Sequence, residues 1–160
     1  MDNGCLKDTD NHYFRCRIQA SLNNEKLSSR EGAAELLGVS VSSLAKYEQG
    51  VTKYVPVDKV LSMAELYNAP ELKGLYCKEC CPLGADKPEI ILEDLDRITL
   101  KAMSFFRKIP GVKDTLLDIT EDGIISDDER LELDDVLTVL DELSLIAQTL
   151  KLWAEKNNQN

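Results

Sequence analysis

Apolar residues recur at helical spacing along most of the chain. In the first half, Tyr13, Phe14, Ile18 and Leu22 predict a helix over 12–23. A loop at Asn23 to Lys26 follows. A second helix begins at Ser29, whose hydroxyl suits a cap, and turns Ala33, Ala34, Leu36 and Leu37 inward. Gly38 ends it where the backbone needs a positive φ, and Val39 is the buried residue of the turn. Ser40 caps a third helix, 41–49, with Val41, Leu44, Ala45 and Tyr47 on one side, and Gly50 stops it. A polar, β-rich connector runs from Val51 to Pro56. Pro56 fits the first turn of a fourth helix carrying Val57, Val60, Leu61, Ala64 and Leu66. Asn68-Ala69-Pro70 closes that helix, and Glu71 to Cys77 reads as a short fifth.

Two prolines and a glycine between Pro82 and Pro88 stop any helix from passing through. Beyond them, Ile91, Leu92, Leu95, Ile98, Ala102, Phe105 and Phe106 predict an amphipathic helix of nearly twenty residues from Glu89. Pro110-Gly111 breaks it, and Val112 to Leu117 is a short helix. A long helix runs from Ser126 to about Trp153, with Leu133, Val136, Leu137, Leu140, Leu143, Ile146, Ala147, Leu150 and Trp153 on one face. The expected fold is all-α: a five-helix domain followed by a helical hairpin. The expected segments are a flexible arm at 1–11, the first domain at 12–81, a linker at 82–88 and a helical C-terminal domain at 89–160. A face that broad calls for a partner, so 89–160 is expected to dimerise.

Residues 30–50, REGAAELLGVSVSSLAKYEQG, carry the strongest pattern. Two short helices joined by a glycine-containing turn make a helix-turn-helix. Ala34 is small where the helices cross. Gly38, Val39 and Ser40 form the turn, and Leu44 plugs the space between the helices. With these offsets the stretch resembles the helix-turn-helix of phage repressors and Cro proteins, the xenobiotic-response-element family, over Tyr13 to Leu75. The resemblance implies a five-helix DNA-binding domain whose third helix enters the major groove. It places Val41, Ser42, Ser43 and Lys46 at base edges, Arg30 near a phosphate or a base, and Gln49 and Lys53 at phosphates, with the Ser40 cap at the helix N-terminus. It also pairs Arg17 with Glu48.

Charge qualifies this picture. The chain carries 19 basic and 29 acidic residues, a net −10. The acids concentrate in residues 82–160, with 18 acids against 9 bases, whereas residues 12–54 hold six bases and four acids. A local cationic excess suffices for phosphate contact, while the acidic half disfavours non-specific DNA binding. The same charge supports an alternative, a non-enzymatic protein-interaction adaptor on the same fold with an unknown protein partner. No apolar run approaches the ~20 residues that cross a bilayer, so a cytoplasmic protein without membrane contact is expected. No glycine-rich phosphate loop, nucleophile–base constellation or histidine pair is present, and neither catalysis nor a cofactor is expected.

Two motifs invite metal readings. Cys77, Cys80 and Cys81 contain a C-x-x-C pair, but a structural zinc site takes four ligands and no second pair exists. Residues Asp118 to Glu129 fit a calcium loop at most positions, with Asp118, Asp122 and Glu129 as ligands. Thr120 removes one carboxylate from that set. Ser126 and Glu129 fit a capping box equally well, and this is the preferred reading because the helix entering the loop is expected to be short. A calcium-responsive regulator is the remaining alternative.

Overall fold

The computed structural model describes residues 11–121 and 123–158, apart from the side chain of Asp128. Residues 1–10 of the expected arm lie outside this range. The regular elements are all helices, with no strand among the described residues. It divides into two compact units, to residue 89 and from residue 90 to 158.

The first unit holds α1 (His12–Ser21), α2 (Arg30–Leu37), α3 (Val41–Glu48), α4 (Val57–Leu66) and α5 (Glu71–Cys80), with a 3₁₀ turn at Glu25–Ser28 between α1 and α2. Its core is Leu27, Ala33, Ala34, Leu37, Leu44, Val55, Val60, Met63, Ala64, Tyr67, Ala69 and Leu72. The phase of α1 differs from expectation. Ile18 and Leu22 are exposed at 40 % and 75 %. The inward row is Tyr13, Cys16, Arg17 and Ala20. A buried arginine in that row hides its period from any apolar pattern. Leu36, Val57 and Leu61 likewise face solvent, and Met63 is buried instead.

Helix ends follow local chemistry. Ser29 Oγ accepts from the Gly32 N–H at 3.1 Å. At Gly38, φ is 61°, and the Val39 N–H reaches back to the Ala34 carbonyl at 3.0 Å. Gly50 repeats this at the end of α3, with φ 65° and a Val51 N–H to Lys46 carbonyl bond. Gly32 matters for space: a Cβ there would lie 2.2 Å from the Lys26 carbonyl oxygen. α5 runs three residues beyond its expected end at Cys77.

The buried charges of α1 and α3 meet. Arg17 Nε donates to Glu48 Oε1 at 2.5 Å and its Nη2 to Oε2 at 3.2 Å. Arg17 Nη1 donates to the carbonyls of Leu27 and Ser28. Arg30 Nε donates to Glu48 Oε2 at 2.6 Å. Glu48 is fully buried and Arg17 nearly so. One carboxylate thus joins α1, the 3₁₀ turn, α2 and α3.

The second unit holds α6 (Leu95–Phe106), α7 (Ile109–Ile119) and α8 (Asp127–Asn157), with α6 and α7 packed on α8. Ile98, Phe105 and Ile146 form its centre, backed by Ala102, Val139, Leu143 and Trp153. α6 starts six residues later than expected, at an extended Asp94, and leaves Ile91 60 % exposed outside it. Pro110-Gly111 does not precede a short helix. It lies in the first turn of α7, where the missing proline N–H costs nothing, and α7 runs 11 residues. Ser126 and Glu129 form the capping box of α8: Ser126 Oγ accepts from the Glu129 N–H at 3.3 Å, and the Ser126 N–H donates to the Glu129 carboxylate at 2.7 Å.

Three outcomes test these contacts. Glu48→Ala leaves Arg17 buried without its carboxylate and is expected to cost about 3–5 kcal/mol in urea unfolding. Ser126→Ala is expected to cost about 0.5–2 kcal/mol, equally with calcium or chelator. The third concerns pH. Burial pushes the Tyr67 phenol above its usual 10.0, and Glu48 adds to this. Burial does the same at Tyr13. A raised folded-state pKa means that the unfolded chain releases protons first, so stability is fully present below pH 10 and falls above it. Melting temperature is expected to drop beyond pH 10, and Tyr67→Phe to lessen the drop.

Candidate nucleic-acid interface

The interface candidate is built from the first turns of α3 and what holds them. Serine, short and with an acceptor oxygen, sets the helix start. Ser40 Oγ accepts from the Ser43 N–H at 3.0 Å. It also bonds the hydroxyls of Ser42, at 3.0 Å, and Ser43, at 2.7 Å. The three hydroxyls form one cluster at the helix N-terminus, where the helix dipole favours an anion.

Packing then decides which α3 side chains remain available. Leu44 is completely buried beside Ala33 and Ala34 of α2, and Glu48 is held by two arginines. Since 44 and 48 face inward, Ser42 and Lys46 emerge on the outer side, and Val41 is left open at the first position of the helix. Val41 is 40 % exposed, and Ser42 and Lys46 are exposed. Ser43 and Gln49 are half-buried. An aliphatic group, a hydroxyl and an ammonium are thereby presented together by one rigid helix. They can supply a methyl contact and hydrogen-bond donors to a planar edge.

Arg30 makes a contact that the resemblance does not imply. Its Nε is committed to Glu48, and its side chain is 32 % exposed. Its guanidinium therefore braces α3 first and presents only its outer edge. Lys53 is exposed on the connector and lies 5.3 Å from the centre of the Tyr54 ring. Stacking on that ring narrows the ammonium's range. Ala34, Gly38, Val39 and Leu44 occupy the crossing and turn as their types require, although Val39 is only half-buried.

Two positioning contacts escaped the sequence reading. Asn11, left there at the end of the arm, is nearly buried and caps α1: its Oδ1 accepts from the N–H groups of Tyr13 and Phe14. Its Nδ2 donates to the Tyr47 carbonyl at 3.1 Å, tying the start of α1 to the last turn of α3. The signal was available, because Asn before a helix is a preferred cap. Lys59 donates to the Leu37 carbonyl at the end of α2. That contact has no sequence signature.

A cleft of about 660 Å³ opens on the other end of α3. Tyr13, Tyr47, Tyr54 and Tyr76 line it with Lys53, and Val41, Ser42, Ser43 and Lys46 do not.

Among the described residues, no three His, Cys, Asp or Glu side chains converge on a point that could hold an ion. Asp122 lies outside the described residues. Glu129 is engaged in its capping box, and the entering helix α7 is longer than the argument for the cap assumed. Cys77, Cys80 and Cys81 are free thiols. Burial, and then Glu79, push the Cys80 thiol up, which lowers its nucleophilic thiolate fraction.

Residues 25–73 match the family model of a helix-turn-helix domain. No curated protein matches the chain. No solved structure matches it either. No described helix is long and apolar enough to cross a membrane. The chain therefore carries a helix-turn-helix domain in its first half, followed by further helices, and such a domain points to a DNA-binding regulator.

Proposed function

We propose that this chain is a sequence-specific, non-enzymatic transcriptional regulator of the repressor type. It acts in the cytoplasm as a homodimer on double-stranded DNA. One observation carries the proposal: within the matched domain, Ser42 and Lys46 are exposed on the outer side of α3 and Val41 at its first turn, while Leu44 and Glu48 are locked inside.

In this reading α3 enters the major groove with its N-terminus at the backbone. Lys46 donates to guanine O6 and N7, and Val41 meets a thymine methyl. The small serines read little directly, so DNA shape carries part of the preference. Ser40 fixes the helix start, Gln49 and Lys53 take phosphates, and the outer edge of Arg30 takes another. The second unit brings two recognition helices about one DNA turn, ~34 Å, apart on a near-palindromic site. The acidity of residues 82–160 holds non-specific binding down.

Selection from a random DNA pool, followed by binding measurements at two salt concentrations, tests the proposal. Lys46→Ala is expected to weaken binding by about 1–3 kcal/mol and to relax preference at one base pair. Lys53→Ala is expected to weaken all sequences alike and to lower the salt slope by about one unit. A wild-type protein that enriches no sequence at low salt contradicts the proposal and favours the adaptor reading.

A further inference from the structure

Helix α8 carries two rows of helical spacing, one packed within its own unit and one exposed along its centre. The inner row is Val136, Val139, Leu143, Ile146 and Trp153; Val136 is buried, and the other four cluster with α6 residues Ile98, Ala102 and Phe105. The outer row is Leu133, Leu137, Leu140, Ser144, Ala147, Lys151 and Ala154, spaced alternately by four and three residues. Such spacing keeps one stripe facing a partner helix along its length. The five central positions, Leu137 to Lys151, are exposed, with Leu137 at 49 % and Leu140 at 38 %. At 1.5 Å per residue the row runs roughly 30 Å.

The row is complementary to itself when reversed. Turned end for end about Ser144, it sets Leu140 against Ala147 of the second copy, and Leu133 against Ala154. Large residues meet small ones, which lets two helices interlock. Lys151 falls on Leu137. Its methylenes cover that leucine, and its ammonium lies between Asp134 and Asp141, which precede and follow Leu137 by three and four residues. Both aspartates are exposed. A parallel pairing would instead bring Lys151 against Lys151 and acid against acid.

We infer that two copies of this chain associate through antiparallel pairing of their α8 outer rows, centred on Ser144, with Lys151 of each copy between Asp134 and Asp141 of the other. This inference rests on the dimeric part of the proposed function and specifies its interface. The pairing is isologous and therefore closes as a two-fold dimer.

A charge-swap experiment on the full-length chain tests it, read by sedimentation equilibrium with circular dichroism as the check on folding. Wild type is expected to be a dimer at tens of micromolar. Lys151→Glu alone, and Asp134→Lys with Asp141→Lys alone, are each expected to raise the dimer dissociation constant about tenfold or more, since each puts like charges together at both ends. Mixing the two variants places opposite charges at both ends again and is expected to restore the dimer as a mixed species. All three positions are exposed, so helicity is expected to stay unchanged. A wild-type monomer overturns the dimeric reading and this inference with it. A wild-type dimer that neither variant weakens, or weakened variants that mixing does not restore, overturns the α8 interface and leaves dimerisation to another surface.

Discussion

A buried carboxylate sets the geometry of the first unit. Glu48 has no access to water, and an unpaired charge in that position would cost several kcal/mol. It is tolerated only because Arg17 reaches it from α1 and Arg30 from α2, while Arg17 also satisfies two carbonyls of the 3₁₀ turn. A bidentate guanidinium–carboxylate pair is directional, so it fixes angle as well as distance. Hydrophobic contacts such as Leu44 on Ala33 and Ala34 hold the helices together but leave more freedom to slide. The ion cluster removes that freedom. Asn11 adds a second tie at the last turn of α3.

That constraint is what gives α3 a fixed outer face for the proposed reading of DNA. With positions 44 and 48 pinned inward, the 3.6-residue period places 42 and 46 outward, and Val41 is open because the helix begins there. Recognition by a helix requires that its side chains keep register with a groove, and a helix of 8 residues has little stability of its own. Caps at both ends and the buried triad supply it. Arg30 shows the cost of this arrangement: a cation beside the proposed DNA-facing surface spends its Nε on the scaffold.

The helix-turn-helix was legible because its signals are local. Ser29 and Ser40 cap, Gly38 and Gly50 stop, and each depends on residues within four positions. The phase of α1 was not legible, because its inward row contains Arg17, whose partner lies 31 residues away. The start of α6 was misread for another reason. Ile91 and Leu92 continue an apolar pattern, but Pro88 and the extended Asp94 keep them out of the helix. α8 shows the opposite limit: its broad apolar face was evident, yet only the packed structure separates the row used by α6 from the row left open. Lys59 on the Leu37 carbonyl depends wholly on tertiary placement.

The account turns on where a nucleic acid touches the chain. Amide chemical shifts of the full-length protein, followed while a duplex selected from a random pool is added, measure this directly. The account predicts perturbations concentrated at Ser40 to Lys46 and at Lys53, with Lys46→Ala diminishing those along α3. Shifts confined to the tyrosine-lined cleft or to residues 90–158, with α3 unmoved, would contradict it.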